Sequence, residues 1–147
     1  MPGVFEKLGV RFQYPDNWTL DESEAQEQRN AVSVHSPDGG AFWSLMICDP
    51  GEDPAELARQ VVSAMKAEYE DFEFAPLEET IAGRPSVGFE MNFYCLDLTS
   101  TAQVRGVSTP TGTLIIHCQA EDQEFEEFGR VFQAMTLSLL MELEAAE

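Results

Sequence analysis

The longest alternation of apolar and polar residues runs from Ser86 to Gln119, and it predicts three consecutive antiparallel strands. Apolar positions of the first strand fall on one side, at Val87, Phe89, Met91, Phe93 and Cys95. A reversal at Thr99–Ser100 would place Cys95 opposite Val104. The turn from Thr109 to Gly112 would then place Leu114, Ile116 and Cys118 beside Ser108, Gly106 and Val104. This register predicts one shared inner face for all three strands.

The same register predicts a mixed set of side chains on the outer face of these strands. Its members are Asn92, Tyr94, Leu96, Arg105, Val107, Ile115 and His117. Arg105 and His117 are predicted to be cross-strand neighbours, with Tyr94 one strand away. Aromatic, aliphatic and hydrogen-bonding groups on a flat sheet suit the recognition of a peptide or a helix, so this set is the predicted partner-binding site. The alternative is that the first helix covers this face.

The first part of the chain shows four shorter strand patterns, at 10–14, 18–20, 31–35 and 42–48. The segment from Ser36 to Gly40 is a strong turn signal between the last two. A fifth short strand is predicted at Phe72–Phe74, and Ala82 to Pro85 predicts a turn into the long meander.

Two segments have helical periodicity. Asp53 is a good N-cap with Pro54 behind it, and the stripe continues to about residue 70 at Leu57, Val61, Met65 and Tyr69. The second helix is predicted from Glu121 to about Met141, with a stripe at Phe125, Phe128, Phe132, Met135 and Leu139. We expect this second stripe to cover the inner face of the meander and the tail 142–147 to fray.

Strand runs separated by lone helices predict an α+β fold with an antiparallel sheet of about six to eight strands and flanking helices. The length of 147 residues fits a single domain spanning residues 1–147.

The charge of the chain restricts its partners. Eight basic residues stand against 27 acidic ones, for a formal net charge of -19. Such a surface repels nucleic acid and anionic lipid. It favours either basic partners or simply solubility, as a solvated acidic coat. The acidic segment from Asp21 to Glu27 fits either a solvated loop or a docking site for a basic partner.

Nothing in the chain predicts export or insertion into a membrane. The start lacks the apolar stretch of a signal peptide, and no apolar run approaches the roughly 20 residues of a membrane span. Cys48, Cys95 and Cys118 are odd in number and widely spaced, which favours reduced cysteines that pack in the core. We therefore expect a cytoplasmic protein.

The residues favour a non-catalytic protein. His35 and His117 are the only histidines available as bases, and there is no nucleophile elbow or phosphate-binding glycine loop. The cysteines have no C-x-x-C spacing, and the adjacent His117 and Cys118 point to opposite sides of their strand. No catalytic residue, metal ligand or cofactor is predicted.

The order of turns and patterns resembles the PsbP/Mog/DcrB-like domains. The matching features are F-x-Y-P-D-N-W near the start, V-S-V-x-S-P, a D-P helix start, A-G-R-P, and a long meander that ends in a helix. The resemblance implies an antiparallel sheet sandwiched by helices. It also implies roles such as those of PsbP in photosystem II, the Ran-binding Mog protein, the envelope protein DcrB, and Eag-type chaperones of secreted effectors. The cytosolic Eag-like and Mog-like branches are the nearest analogies.

These observations lead to one main hypothesis and two alternatives. The main one is a cytoplasmic, non-catalytic protein-binding module, a chaperone or adaptor for a secreted or membrane-inserting effector. Its partner would be a protein or peptide with an apolar helix or a basic surface, and a homodimer is also compatible with this hypothesis. The alternatives are a small-molecule-binding or hydrolytic enzyme that uses His117 and Arg105, and a Mog-like regulator of a small GTPase.

Overall fold

The computed structural model describes residues 2–22 and 30–146, with side chains up to residue 143. Within these ranges the elements are β1 Gly3–Lys7, β2 Val10–Tyr14, β3 Thr19–Asp21, β4 Ala31–His35, β5 Phe42–Cys48, α1 Pro54–Glu68, β6 Glu70–Ile81, β7 Arg84–Cys95, β8 Leu98–Thr109, β9 Gly112–Glu121 and α2 Asp122–Ala146. The acidic segment from Asp21 to Glu27 lies mostly outside the described residues. Helix α2 continues to Ala146, beyond the predicted end at about Met141, and the fraying of the tail stays a prediction.

Seven of these strands form one antiparallel sheet, in the order β3-β4-β5-β9-β8-β7-β6. Strands β1 and β2 form a separate hairpin. The α+β class and the antiparallel sheet are therefore confirmed. The predicted short strand at Phe72–Phe74 is in fact part of a strand of 12 residues, β6, at the edge of the sheet.

One face of the sheet, here called the α2 side, packs against α2 and the β1–β2 hairpin. Trp43 is fully buried there, and its ring centroid lies 4.8 Å from that of Phe12. The indole Nε1 of Trp43 donates a 3.0 Å hydrogen bond to Thr136 Oγ1, which satisfies its buried N–H group. The predicted stripe of the second helix supplies Phe132 and Leu139 to the same core.

The opposite face, the α1 side, packs against α1. Asp53 begins this helix as predicted, and its carboxylate accepts a 3.0 Å hydrogen bond from the backbone N–H of Ala55. The buried stripe of the helix consists of Ala58, Val62 and Met65, which is rotated by one residue from most of the predicted stripe. The strand residues beneath it are Met91, Phe93, Ala102, Val104 and Ile115. Met91, Phe93 and Val104 belong to the predicted inner face, so the first helix covers the part of that face which the second helix was expected to cover. It also covers Ile115 of the predicted outer set.

The predicted register of the meander is wrong at both turns. The first reversal occurs at Leu96–Asp97, so that Cys95 pairs with Leu98. In the second pairing Val104 lies opposite His117, one residue away from the predicted partner Cys118. Because side chains alternate along a strand, this slip of one residue moves every β9 side chain to the other face relative to β8. Helix α2 consequently covers Ile116 and Cys118, whereas Phe93 and Val104 lie under α1.

Candidate functional site

The register divides the seven predicted site residues between the two faces. Asn92, Tyr94, Arg105 and Val107 lie on the α2 side, Ile115 and His117 lie on the α1 side, and Leu96 lies in the β7–β8 turn. Arg105 pairs with Ile116, so the prediction that Arg105 and His117 are cross-strand neighbours is wrong. The predicted flat outer face does not exist as one surface. A partner-binding role for its members stays a prediction.

Three of the seven residues, Val107, Ile115 and Arg105, are buried by packing and do not lie on an open surface. Val107 belongs to the α2-side core, and Ile115 is buried under α1. Arg105 is buried and forms a 2.6 Å ion pair with Glu79. These positions hold the sheet together and offer little surface to a macromolecule.

Three further residues of the predicted set, Asn92, Tyr94 and Leu96, are exposed at or near the tip of the β7–β8 hairpin. We define the hairpin tip as Asn92, Tyr94 and Leu96–Leu98. Leu96 has 92% of its surface exposed. Tyr94 and Leu98 are also exposed large apolar residues. Such a concentration of apolar side chains at one end of a sheet is typical of an interaction site.

The backbone of the hairpin tip departs from what its sequence favours locally. Leu96 and Asp97 form a two-residue loop with φ values of 52° and 64°. Turns of this type prefer Asn and Gly, because a bulky side chain is strained at positive φ. Leucine at this position therefore does not help the turn to form. Leu96 therefore combines almost complete exposure with an unfavourable backbone conformation.

An acidic cleft adjoins the hairpin tip on the α2 side, with a volume of about 600 Å³. Its walls comprise the end of the hairpin and the first turn of α2. The acidic residues among those that line it are Asp97, Glu121, Asp122 and Glu124, and no lining residue is basic. The cleft therefore complements a positively charged group.

A short polar chain joins the hairpin tip to the acidic cleft. Thr101 Oγ1 lies 2.7 Å from Asp122 Oδ1 and 3.0 Å from Asn92 Oδ1, and its hydrogen can be donated to either. These contacts tie the start of α2 to strands β7 and β8. Thr101 therefore links the hairpin tip to the acidic cleft.

The sequence predicted Asn92, Tyr94 and Leu96 as site residues but did not predict Leu98 or the carboxylates of the acidic cleft. Glu121, Asp122 and Glu124 stand out in the sequence, where their position favours them at a helix N-terminus. Their proximity to Tyr94 follows from the pairing of Thr101 with Ala120 across β8 and β9. Only the correct turn at Leu96–Asp97 would have brought the two sets together.

His117 lies on the α1 side, in a separate cleft of about 200 Å³ that Ser33, Ser44 and Asp21 also line. Its Nε2 is closed off from solvent and has no hydrogen-bond partner within the described ranges. Burial lowers the pKa of His117 from 6.5 to about 4, while a hydrogen bond with the Gln119 side chain acts in the opposite direction. The imidazole is therefore neutral at physiological pH.

The hydroxyl groups beside His117 already have other hydrogen-bond partners. Ser44 Oγ donates to the backbone carbonyl of His117, and Ser33 Oγ lies 3.0 Å from His35 Nε2.

Among residues 2–22 and 30–146, no group of three or more His, Cys, Asp or Glu side chains is placed to hold a metal ion. Neither described helix is long and apolar enough to cross a membrane.

No protein-family model matches the chain, and no curated protein matches it. Several solved structures do. Cyanobacterial PsbP (CyanoP) from Synechocystis sp. PCC 6803 superimposes with a TM-score of 0.64 at 12% identity, over 93% of this chain and 90% of that one. PA94 from Pseudomonas aeruginosa, a protein of unknown function, superimposes with a TM-score of 0.58 at 12% identity, over 94% of this chain and 95% of that one. A point mutant of Mog1 superimposes with a TM-score of 0.55 at 9% identity, over 99% of this chain and 92% of that one.

Each of these similarities covers nearly the whole of both chains, although the sequences have diverged to 12% identity or less. Identities this low establish the fold, and function has to be argued from the site. The resemblance expected from the order of turns and patterns is thereby confirmed at the level of fold: the chain has the PsbP/Mog-like fold.

Proposed function

We propose that this chain is a non-catalytic protein-binding module of the adaptor or chaperone type, which binds a basic, partly apolar segment of a partner protein with its hairpin tip and acidic cleft. The observation that supports this most is Leu96, a strained and almost fully exposed leucine next to a cleft walled by carboxylates. An apolar side chain at this place is unfavourable for the isolated protein, and a partner would remove that cost.

The chemistry of the surface favours one class of partner. Leu96 and Leu98 suit an apolar recess or the apolar face of a helix, while the carboxylates of the cleft favour Lys or Arg side chains nearby. A basic amphipathic segment provides both. The formal charge of -19 would also accelerate association with such a segment at low salt.

Support for a non-catalytic role comes from the separation of Arg105 and His117 on opposite faces of the sheet. The hydrolytic alternative requires both side chains in one pocket. His117 lines the cleft on the α1 side, whereas Arg105 lines a different groove on the α2 side.

The chain offers a matched control for a test of the hairpin tip. Leu8, in the turn of the β1–β2 hairpin, also has a positive φ, of 58°, and is 37% exposed. A photo-reactive amino acid at position 96 should cross-link to the partner in cell extract, and the same group at position 8 should not. The cross-linked protein is then identified by mass spectrometry and purified.

Titration calorimetry with the purified partner completes the test. Burying a leucine side chain contributes about 1.5–3 kcal/mol, so Leu96→Asn should weaken binding roughly tenfold or more. Leu8→Asn makes the same chemical change in the same kind of turn and should leave the affinity unchanged. Binding should also weaken as salt is added, because the acidic cleft contributes. Equal affinities for the two variants, or cross-linking at both positions alike, would refute the proposal.

A further inference from the structure

A second cleft on the α2 side, here called the Arg105 groove, lies between α2 and strands β6 and β8. Its volume is about 200 Å³. Polar side chains line one part of it, Glu79, Gln103 and Arg105, and apolar side chains line another, Ile81, Phe132 and Leu137. The groove therefore combines a charged end with an apolar wall, which is the usual character of a small-molecule site.

Arg105 is the distinctive feature of the groove. The chain has only eight basic residues, and the side chain of this one is 9% exposed. Its Nε donates a 2.6 Å hydrogen bond to Glu79 Oε1, and its Nη2 donates a 2.9 Å hydrogen bond to Gln103 Oε1. A guanidinium group has five N–H donors, so these two bonds leave donors for a further acceptor in the groove.

Neighbouring contacts fix the orientation of this guanidinium. The amide of Gln103, which accepts from Arg105, donates in turn to Glu90 Oε1 at 2.8 Å. Arg105 and Gln103 thus form a hydrogen-bonded network across β6, β7 and β8, with Glu79 at one end and Glu90 at the other. Because the guanidinium is already ordered, a ligand that binds it loses little free energy in arranging it.

The remaining donors and the apolar wall define the ligand. A carboxylate matches the planar fork of arginine better than a neutral carbonyl does. The surrounding acidic surface disfavours ligands with several negative charges, since each charge adds to the repulsion. The apolar side chains favour a short aliphatic or aromatic body.

From this geometry we infer that the Arg105 groove binds a small monocarboxylate, whose carboxylate accepts hydrogen bonds from Arg105 and whose apolar body packs against Ile81, Phe132 and Leu137. This site is separate from the hairpin tip and does not rest on the proposed function. No residue of the hairpin tip lines the groove.

Hexanoate is a suitable probe, and hexanamide is its neutral counterpart of nearly equal size. In an NMR titration of the full ¹⁵N-labelled chain, hexanoate should shift the amide signals of residues around Arg105 and Leu137, with a dissociation constant in the millimolar range. Hexanamide should bind roughly tenfold more weakly, because it lacks the charge that strengthens the bond to arginine.

Two exposed residues of α2 provide a matched pair of variants. Leu137 is 43% exposed and lines the groove, and Met141, one turn further along the helix, is 55% exposed and does not. Leu137→Glu brings a competing carboxylate to the groove and should abolish hexanoate binding, whereas Met141→Glu should not change it. Glu79→Gln removes the carboxylate that already pairs with Arg105, and it should tighten hexanoate binding roughly fivefold.

The inference is overturned if hexanamide binds as well as hexanoate, or if Leu137→Glu and Met141→Glu have the same effect. It is also overturned if hexanoate shifts signals only outside the groove. Leu96→Asn should leave hexanoate binding unchanged, so a failure here and a failure of the proposed protein partner are distinguishable.

Discussion

Acidification should destabilise this protein through His117 in particular. The unfolded chain protonates this histidine near pH 6.5, whereas burial holds its pKa in the folded protein at about 4. Burial removes water from the imidazole, which packs against Phe42 at a ring-centroid distance of 5.3 Å, and this loss of hydration disfavours the charged form. Asp21, an acid that lines the same cleft, would act in the opposite direction.

The sign and size of the effect follow from these two pKa values. A group with a lowered pKa in the folded state binds protons more readily when the chain is unfolded, so stability falls as pH falls. The loss begins near the unfolded pKa of 6.5 and stops growing below the folded pKa of about 4. Between about pH 7.5 and about pH 5, His117 should cost about 2 kcal/mol of unfolding free energy.

Other groups titrate in the same range, so the effect has to be measured as a difference between proteins. Urea unfolding can be followed by the fluorescence of Trp18 and Trp43, which are both buried. His117→Phe keeps a ring and removes the titration, and its stability should fall by about 2 kcal/mol less than that of the natural chain over this range. His35→Phe is the control for losing a histidine from the same sheet face. For each protein, the unfolding free energy is plotted against pH. If the curves of His117→Phe and the natural chain stay parallel within about 0.5 kcal/mol, this account of His117 is refuted.

Four further predictions concern stability and can be checked by thermal and urea unfolding. Gly88→Ala should destabilise the fold by about 3 kcal/mol, since the added Cβ would lie 1.8 Å from the carbonyl oxygen of Val104. Gly129 lies inside α2 with open space around it, so Gly129→Ala should instead stabilise the protein by about 0.5–1 kcal/mol. A loss of stability would contradict the open, helical position assigned to Gly129. Asp53→Ala should cost about 1 kcal/mol, because the N-cap of α1 is lost; no change would mean that the cap is dispensable. Leu96→Asn should raise stability by about 0.5–1 kcal/mol while it weakens partner binding, and a lower melting temperature would contradict the strain assigned to Leu96.

The sequence predicted best those elements whose signals are local. Asp53 and Pro54 begin α1 as expected, and Phe132 and Leu139 of the second stripe are buried against the sheet. Capping residues and helical periodicity each act within a few residues, so the prediction does not depend on distant pairing.

The register of β9 could not be predicted in this way. Leu114, Ile115 and Ile116 are consecutive apolar residues, and the structure explains why: Ile115 is buried under α1, while Leu114 and Ile116 are buried under α2. A strand that is buried on both faces shows no alternation, so nothing local distinguishes one register from the register shifted by one residue.

The turn at Leu96–Asp97 was missed for a related reason. The two-residue turns of the β1–β2 and β6–β7 hairpins contain glycine at their second position, Gly9 and Gly83, which is the expected signal. Leu96–Asp97 has neither Asn nor Gly, and the reversal was therefore placed at Thr99–Ser100. A turn that violates its own sequence preference is hard to predict, and the same violation marks it as a functional candidate.

Most of β6 was missed because it is an edge strand. It contains Pro76 and several acids, which depress any estimate of strand propensity. These residues are tolerated because one side of the strand has no neighbour in the sheet. They also discourage pairing with other chains, so a partner is more easily accommodated at the hairpin tip than along β6.

The two faces of β7 explain why a binding function is expected on the α2 side. Met91 and Phe93 are buried under α1, while the intervening Asn92 and the next residue, Tyr94, are exposed on the opposite face. Core packing therefore constrains Met91 and Phe93, whereas Asn92 and Tyr94 belong to neither core cluster. The exposure of Tyr94 beside the strained Leu96 therefore supports the partner contact that we propose for the hairpin tip.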